Sequence, residues 1–307
     1  MEEQGVVYQQ VGTFMGVPAA SDLRGCRAAV LGLPYDMGTH PTRIGARQGP
    51  DAIRAGSAQI RRYLPEFDYD PIARLGLVDC GNARVVSSRI ERSLAGMEQA
   101  MAPLVEAGVT AFTLGGDGSV SLPQLRALKR RYPGLAVLHF DAHTDSNYGS
   151  PDDPYTTSTT FARAAEEALL DPAHTLHIGI RGTMNEPGVL EMARAQGFEC
   201  ITTDGVFEMG LDGLLAHVRR RLAGRDVYLC WDMDFFDPSI APGVCTPTWG
   251  GVSAREGLYL IRRLAGLRFV HFEVNTVSPP HDVQGMTAML AARVLHEFLF
   301  LACQRPD

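Results

Sequence analysis

Eight short apolar runs alternate along the chain with segments of helical spacing, and that alternation restricts the fold more than any other feature. The runs lie in RAAVLGLPYD, IARLGLVDCG, VTAFTLGGD, LAVLHFDAH, TLHIGIR, FECITTD, DVYLCWDMD and RFVHFEVN. Several are apolar on both faces, and such strands belong in a sheet covered on both sides. Between them, GPDAIRAGSAQIRRYL carries Pro50 at a helix entry. RIERSLAGMEQAMAPLVEAG, GLLAHVRRRLAG and AREGLYLIRRLAG each close on a glycine, a common helix stop. The pattern predicts an α/β fold of three layers, α/β/α, around a central and mostly parallel sheet of about eight strands. No linker, low-complexity tract or repeat divides the chain, so residues 1–307 are expected to form a single domain.

Composition removes several classes of function. Hydrophobic residues make up 45% of the chain, enough to fill a core of this size. The net charge is −7 and no lysine or arginine block stands out, which argues against nucleic acid as a partner. The opening MEEQGVVYQQ is polar and acidic, unlike a secretory signal. AMLAARVLHEFLFLAC is interrupted by Arg293, His296 and Glu297, so it is expected to be a buried helix and not a membrane span. A cytoplasmic protein is expected. The six cysteines form no CxxC pair and are expected to be small core residues, with Cys245 in APGVCTP set apart by its neighbours.

The polar residues then fall into place. Asp117 follows the third strand, and Asp141, His143 and Asp145 follow the fourth. Asp232, Asp234 and Asp237 close the seventh, and Glu273 lies late in the eighth. All sit toward the carboxyl ends of different strands, the edge where open α/β sheets bind ligands. Asp117 precedes a helical segment and is expected to be its cap. Alternation along an extended backbone places Asp141, His143 and Asp145 on one side, and likewise Asp232 with Asp234. Crowded carboxylates need a compensating cation. Four carboxylates and one imidazole make an oxygen-rich mixed set suited to Mn²⁺ and able to hold Ni²⁺, Fe²⁺ or Co²⁺. Carboxylates that bridge two such ions build a site that activates water.

On GLPYDMGTHPTRIGARQGPDAIR, LGGDGS, FDAHTD, WDMDFFDPSIAPGVCTP and FEVN, in that order, the chain resembles the ureohydrolase family of arginases and agmatinases from about residue 27 to 300. The resemblance implies the three-layer fold already expected and hydrolysis of a guanidino group to urea and an amine at a two-metal site, usually of manganese. It also implies assembly as a homo-oligomer, a trimer or hexamer. Asp141 and Asp232 would bridge both ions, and His143 and Asp234 would complete one shell. Asp145 would hold the other ion and orient the attacking water. Glu273 would pair with the cationic guanidinium of a small substrate: an agmatine-like amine, a guanidino acid or a substituted guanidine.

Two expected histidines are missing. Where the family has Gly-Gly-Asp-His-Ser, this chain has GGDGS, with Gly118 at the ligand position. Where agmatinase-like members carry His-Gly, it has Thr157 and Ser158, which leaves Thr157 as a substrate-contact candidate. Cys245 stands where the family commonly has glycine. By ligand count the Asp145-side ion keeps three side chains and the other keeps four, so weaker binding is expected on the Gly118 side. A replacement imidazole from His139 or His271 is the second account, although strand histidines are usually core residues. In the third, the chain is a catalytically degenerate supporting subunit of a hetero-oligomeric ureohydrolase.

Overall fold

The computed structural model describes residues 12–37, 42–184 and 186–306. The amino-terminal MEEQGVVYQQ and residues 38–41 of the GLPYDMGTHPTRIGARQGPDAIR motif lie outside this range. In chain order the elements are β1 (Ala28–Leu33), α1 (Gly49–Ser57), α2 (Pro71–Leu75), β2 (Val78–Asn82), α3 (Ile90–Ala107), β3 (Thr110–Gly115) and α4 (Ser121–Lys129). They continue with β4 (Ala136–Phe140), α5 (Thr160–Glu166), β5 (Thr175–Ile180), α6 (Val189–Ala195), β6 (Glu199–Thr202) and α7 (Thr203–Leu222). The last are β7 (Asp226–Asp232), α8 (Ala254–Arg263), β8 (Arg268–Asn275) and α9 (Met286–Cys303).

The eight strands form one sheet in the order β2-β1-β3-β8-β7-β4-β5-β6, and every neighbouring pair is parallel. All eight expected strands are present. Two helical expectations need correction. The residues Ile72–Leu75, assigned to the second strand, belong to α2, because Asp70 caps the backbone N–H groups of Ile72 and Ala73 and Pro71 opens the turn. Helix α1 stops at Ser57 and does not run on through QIRRYL.

Each face of the sheet has its own apolar layer. One joins Phe140, Trp231, Phe235 and Phe272 to Leu295 and Phe298 of α9. The other packs Leu31, Val137 and Tyr228 against Leu94 and Met97 of α3 and Leu125 of α4. Helix α9 is long and apolar enough to span a bilayer, yet 67% of that window is buried, so its apolar surface is spent within this core.

The sheet order carries the chain from β3, past β8 and β7, to β4. The crossover places the ends of β7 and β4 side by side at the switch point, where such sheets open a crevice. Gly116, just after β3, lets the chain after β1 come close: a Cβ there would stand 1.7 Å from the Tyr35 carbonyl oxygen. The backbone of Gly116 also accepts the Thr276 N–H at 2.7 Å, drawing the ends of β3 and β8 together.

At the far edge Arg54 and Asp79 form a bidentate pair, with Nε–Oδ2 at 2.8 Å and Nη2–Oδ1 at 2.9 Å. Their side chains are 4% and 1% exposed. Asp79 also accepts from the N–H of Phe14 and Gly81. Arg54→Ala leaves that carboxylate buried without its cation and is expected to lower unfolding free energy by about 3–5 kcal/mol. Urea denaturation followed by circular dichroism measures it.

Candidate metal centre

Turns, and not continued strands, bring the acidic residues together. Strand β4 ends at Phe140, and Asp141–His143 follow as bends. Asp145 departs from extended backbone, its φ of 47 lying in the left-handed region that aspartate tolerates better than most residues. Strand β7 ends at Asp232, and Asp234 sits in the 3-10 turn Met233–Phe235, its N–H donating to Asp232 Oδ1 at 2.7 Å. The expectation that alternation along an extended backbone aligns these residues is therefore corrected. The strands deliver the chain to the edge, and tight turns fold the carboxylates inward.

Two trios of donor atoms result, each lying within 4.8 Å: Asp141 with His143 and Asp234, and Asp141 with His139 and Asp145. Asp141 belongs to both. His143 Nδ1 is 3.1 Å from Asp141 Oδ1 and 3.1 Å from Asp234 Oδ2, with its side chain 26% exposed toward solvent. Backbone donors hold the carboxylates in place: His143 N–H on Asp141 Oδ1 and Ala142 N–H on Asp234 Oδ1. Asp232 lies beside the trios, with Oδ1 taken by the Asp234 N–H and the Thr276 hydroxyl.

Burial pushes Asp141 up to about 7, with the Asp234 charge adding to the rise. Asp145 and Asp232 are raised well above the usual carboxylate range, first by burial and then by neighbouring aspartates. Burial pushes Asp234 upward as well, but the His143 imidazole and its hydrogen bonds hold it lower, at about 2. Burial opposes protonation of His143, yet Asp234 and Asp141 raise it well above the usual imidazole value. Among the described residues no lysine or arginine side chain pairs with these four carboxylates; their ion pairs are with histidines. Arg181 approaches but donates to the carbonyls of Thr248, Gly179, Asp234 and Phe236. A buried oxygen-rich cluster short of positive charge fits divalent cations, and the donor types suit Mn²⁺ or Ni²⁺.

The remaining candidates have other surroundings. Glu273 lies on β8 opposite Cys230, one pleat repeat before the Asp232–Asn275 pair, and is fully buried. Its oxygens accept from Ser121 Oγ at 3.0 Å, from Asn275 Nδ2 at 2.8 Å and from the Tyr228 hydroxyl. Burial raises it to about 7, against the lowering by Asn275 and Ser121. Glu273 stands two residues short of the end of β8, with its oxygens engaged by these side chains, and the Asp145 charge adds to its rise. Thr276, with φ 66, reaches the edge instead. Asp117 is a cap, as expected, accepting from the Ser119 N–H and hydroxyl and from the Met37 N–H. Asp237 binds the N–H groups of Ser239, Gly250 and Gly251. His271 is a core residue bonded to Gln124 Oε1 at 2.6 Å. Burial pushes the Cys245 thiol well up, so it is no thiolate.

The two departures adjoin. A Cβ at Gly118 would lie 2.8 Å from Asp145 Oδ2 and 3.8 Å from Thr157 Cβ. Sequence reasoning missed Thr276 and Arg181. Thr276 carried no signal, since a threonine after a strand is ordinary. Arg181 did: an arginine between Gly179 and Gly182 at a strand end marks a cation placed among carbonyls.

The raised groups set a pH dependence. Asp141 and Glu273 give up their folded-state protons as pH rises to about 7, whereas folded Asp145, Asp232 and His143, raised well above their usual values, retain protons above it that the unfolded chain releases. Folded protein then binds more protons than unfolded, so stability falls as pH rises toward and through about 7. In chelator, the melting temperature should drop across this range. Added Mn²⁺ should shrink or reverse the drop, as differential scanning fluorimetry will read.

Comparison with known proteins identifies the family. The arginase family model matches residues 26–301. Guanidinopropionase of Pseudomonas aeruginosa is 38% identical over 297 residues, covering 96% of this chain and 92% of that protein. Guanidinobutyrase of the same organism is 34% identical over 292 residues, covering 94% and 91%. The solved structure of proclavaminate amidinohydrolase from Streptomyces clavuligerus superposes with a TM-score of 0.93 at 34% identity, covering 97% of this chain and 99% of that one. Matched by the family pattern and by relatives along nearly its whole length, the chain belongs to the arginase family.

Proposed function

We propose that this chain hydrolyses a small guanidino acid, releasing urea and the corresponding amino acid. The observation that carries the reading is the pair of donor trios sharing Asp141 at the sheet's switch point. The substrate class is supported by the names of the relatives, guanidinopropionase and guanidinobutyrase.

Asp141, His143 and Asp234 would hold one divalent ion, with Asp145 and Asp232 beside Asp141 for a second; Mn²⁺ fits the donor set, and Ni²⁺ also suits it. Bound ions lower the pKa of water and offset charge that develops on the reacting amidine group. The chain's own residues supply the rest. Water adds to the guanidinium carbon and the carbon–nitrogen bond to the substrate's alkyl amine breaks; water becomes the urea oxygen, one of its protons goes to the leaving nitrogen as that bond breaks, and the second follows to give the ammonium. Asp145 is placed to carry the first of these protons at Oδ2, the oxygen beside Gly118 and Thr157. Thr157 and the side chain-free surface of Gly118 border the space in which the guanidino group would lie. Arg181, spent on carbonyls, orients the Asp234 turn and leaves substrate recognition to others.

Urea release from 3-guanidinopropionate and 4-guanidinobutyrate should exceed that from agmatine, in assays with Mn²⁺ and with Ni²⁺. Equal or better turnover of agmatine would overturn the guanidino-acid assignment. Asp234→Ala removes a donor from one trio and the partner of His143. It should lower kcat/KM beyond the roughly 10–100-fold typical of losing a residue that only orients a ligand. Metal content of that variant, measured by elemental analysis, should fall with it.

A further inference from the structure

The structure assigns a replacement for the imidazole that Gly118 cannot supply. We propose that His139 ligates the Asp145-side ion through Nε2, from the β4 side of the cluster. This rests on the reading of the cluster as a two-ion centre.

Three observations converge. His139 Nε2 lies 3.0 Å from Asp141 Oδ2, and the donor atoms of His139, Asp141 and Asp145 all fall within 4.8 Å of one another. Adjacent ligand atoms of an octahedral ion with bonds of about 2.1 Å stand about 3 Å apart, so the His139–Asp141 spacing is that of neighbours in one shell. Second, the atoms nearest a Cβ at position 118 are an Asp145 oxygen and two Thr157 carbons, so that approach offers no nitrogen.

Third, Nε2 faces the cluster, and the hydrogen bonds behind His139 assign the ring proton to Nδ1. The Ser146 hydroxyl donates its one proton to the Thr144 carbonyl at 2.7 Å. His177 Nε2, 3.4 Å from the same hydroxyl oxygen, must then be the donor in that contact. A neutral imidazole has one donor and one acceptor nitrogen, so His177 Nδ1 is an acceptor. It lies 2.9 Å from His139 Nδ1, which therefore carries the proton of its own ring. His139 Nε2 is left with a lone pair facing a carboxylate oxygen at 3.0 Å. Two acceptors at that distance need a proton or a metal ion between them, and a divalent ion also offsets the neighbouring carboxylates. The relay also gives His139 what ligating histidines usually have, a fixed tautomer and a partner for the far nitrogen. Phe161 packs against both rings, with centroids 4.6 Å from His139 and 5.0 Å from His177, and holds them in register.

The test is metal binding by chelator-stripped protein, with Mn²⁺ as the probe, read by calorimetry and elemental analysis. Native protein should take up two ions with affinities within about tenfold of each other, and Gly118→His should leave the number at two. His139→Phe, which preserves ring size in the aromatic nest, should keep one ion and weaken the second on the order of 100-fold. Two ions at native affinity in His139→Phe overturn the proposal. So does a native protein that fills one site and gains its second only in Gly118→His. No ions in native protein would instead overturn the metal-centre reading itself. A crystal structure of the Mn²⁺-loaded native protein needs no variant. Nε2 at about 2.2 Å from an ion supports the assignment. Nε2 still hydrogen-bonded to Asp141, with both ions bound elsewhere, overturns it.

Discussion

Like charge held away from water is the constraint around which the rest of this molecule is arranged. Asp141, Asp232 and Asp234 are each 3% exposed or less, and they share one edge of one sheet with Asp145. They cannot all be ionised there without a cation, because desolvation and mutual repulsion act in the same direction; only Asp234, beside His143, is held low. The surroundings answer with backbone N–H groups and hydroxyls that orient the oxygens without neutralising them, and with one raised imidazole, His143, that offsets a single carboxylate. What remains is a deficit of positive charge whose position is fixed by the fold.

The fixing is done by topology. A sheet in sequential order would have set the ends of β4 and β7 far apart, whereas the insertion of β8 and β7 between β3 and β4 makes them neighbours. The parallel arrangement aligns every carboxyl end on one edge, so turns after different strands can be tuned separately. The turn after β4 uses a left-handed aspartate, and the turn after β7 uses a 3-10 helix capped by its own ligand-type residue. Two local solutions meet at one charge cluster.

The sheet was legible because its strands are apolar on both faces, a pattern that suits little except a strand covered on both sides. The acidic cluster was legible from residue type and position at strand ends. Its geometry was not, because DAHTD can be drawn as an extended strand and nothing local in those five letters announces the positive φ of Asp145. Glu273 was legible as a late β8 carboxylate, but its hydrogen bonds to Ser121 of α4 and Tyr228 of β7 were not, because both partners are distant in sequence. His139 shows the opposite error. As a histidine within a strand it was expected in the core, and it is buried there, but a ring two residues before Asp141 on the same face also reaches the cluster. Helix α2 was hidden because its five residues are mostly apolar and adjoin a true strand, and only the Asp70 cap distinguishes them.

Arg181 joins the carbonyl of Thr248 to those of Asp234 and Phe236 with a single planar group. Thr248 in turn stands 3.4 Å from His143 Nε2, and Trp249 beside it is 74% exposed. The loop over the crevice and the turn beneath it are thus one mechanical piece, hinged on a guanidinium that cannot lose its charge. Whatever presses on the outer loop is felt at the ligand-bearing turn, and whatever tightens the turn draws the loop inward. Sequence drift in the loop is accordingly not free to alter selectivity alone: each change at the rim also retunes the electrostatics at the floor.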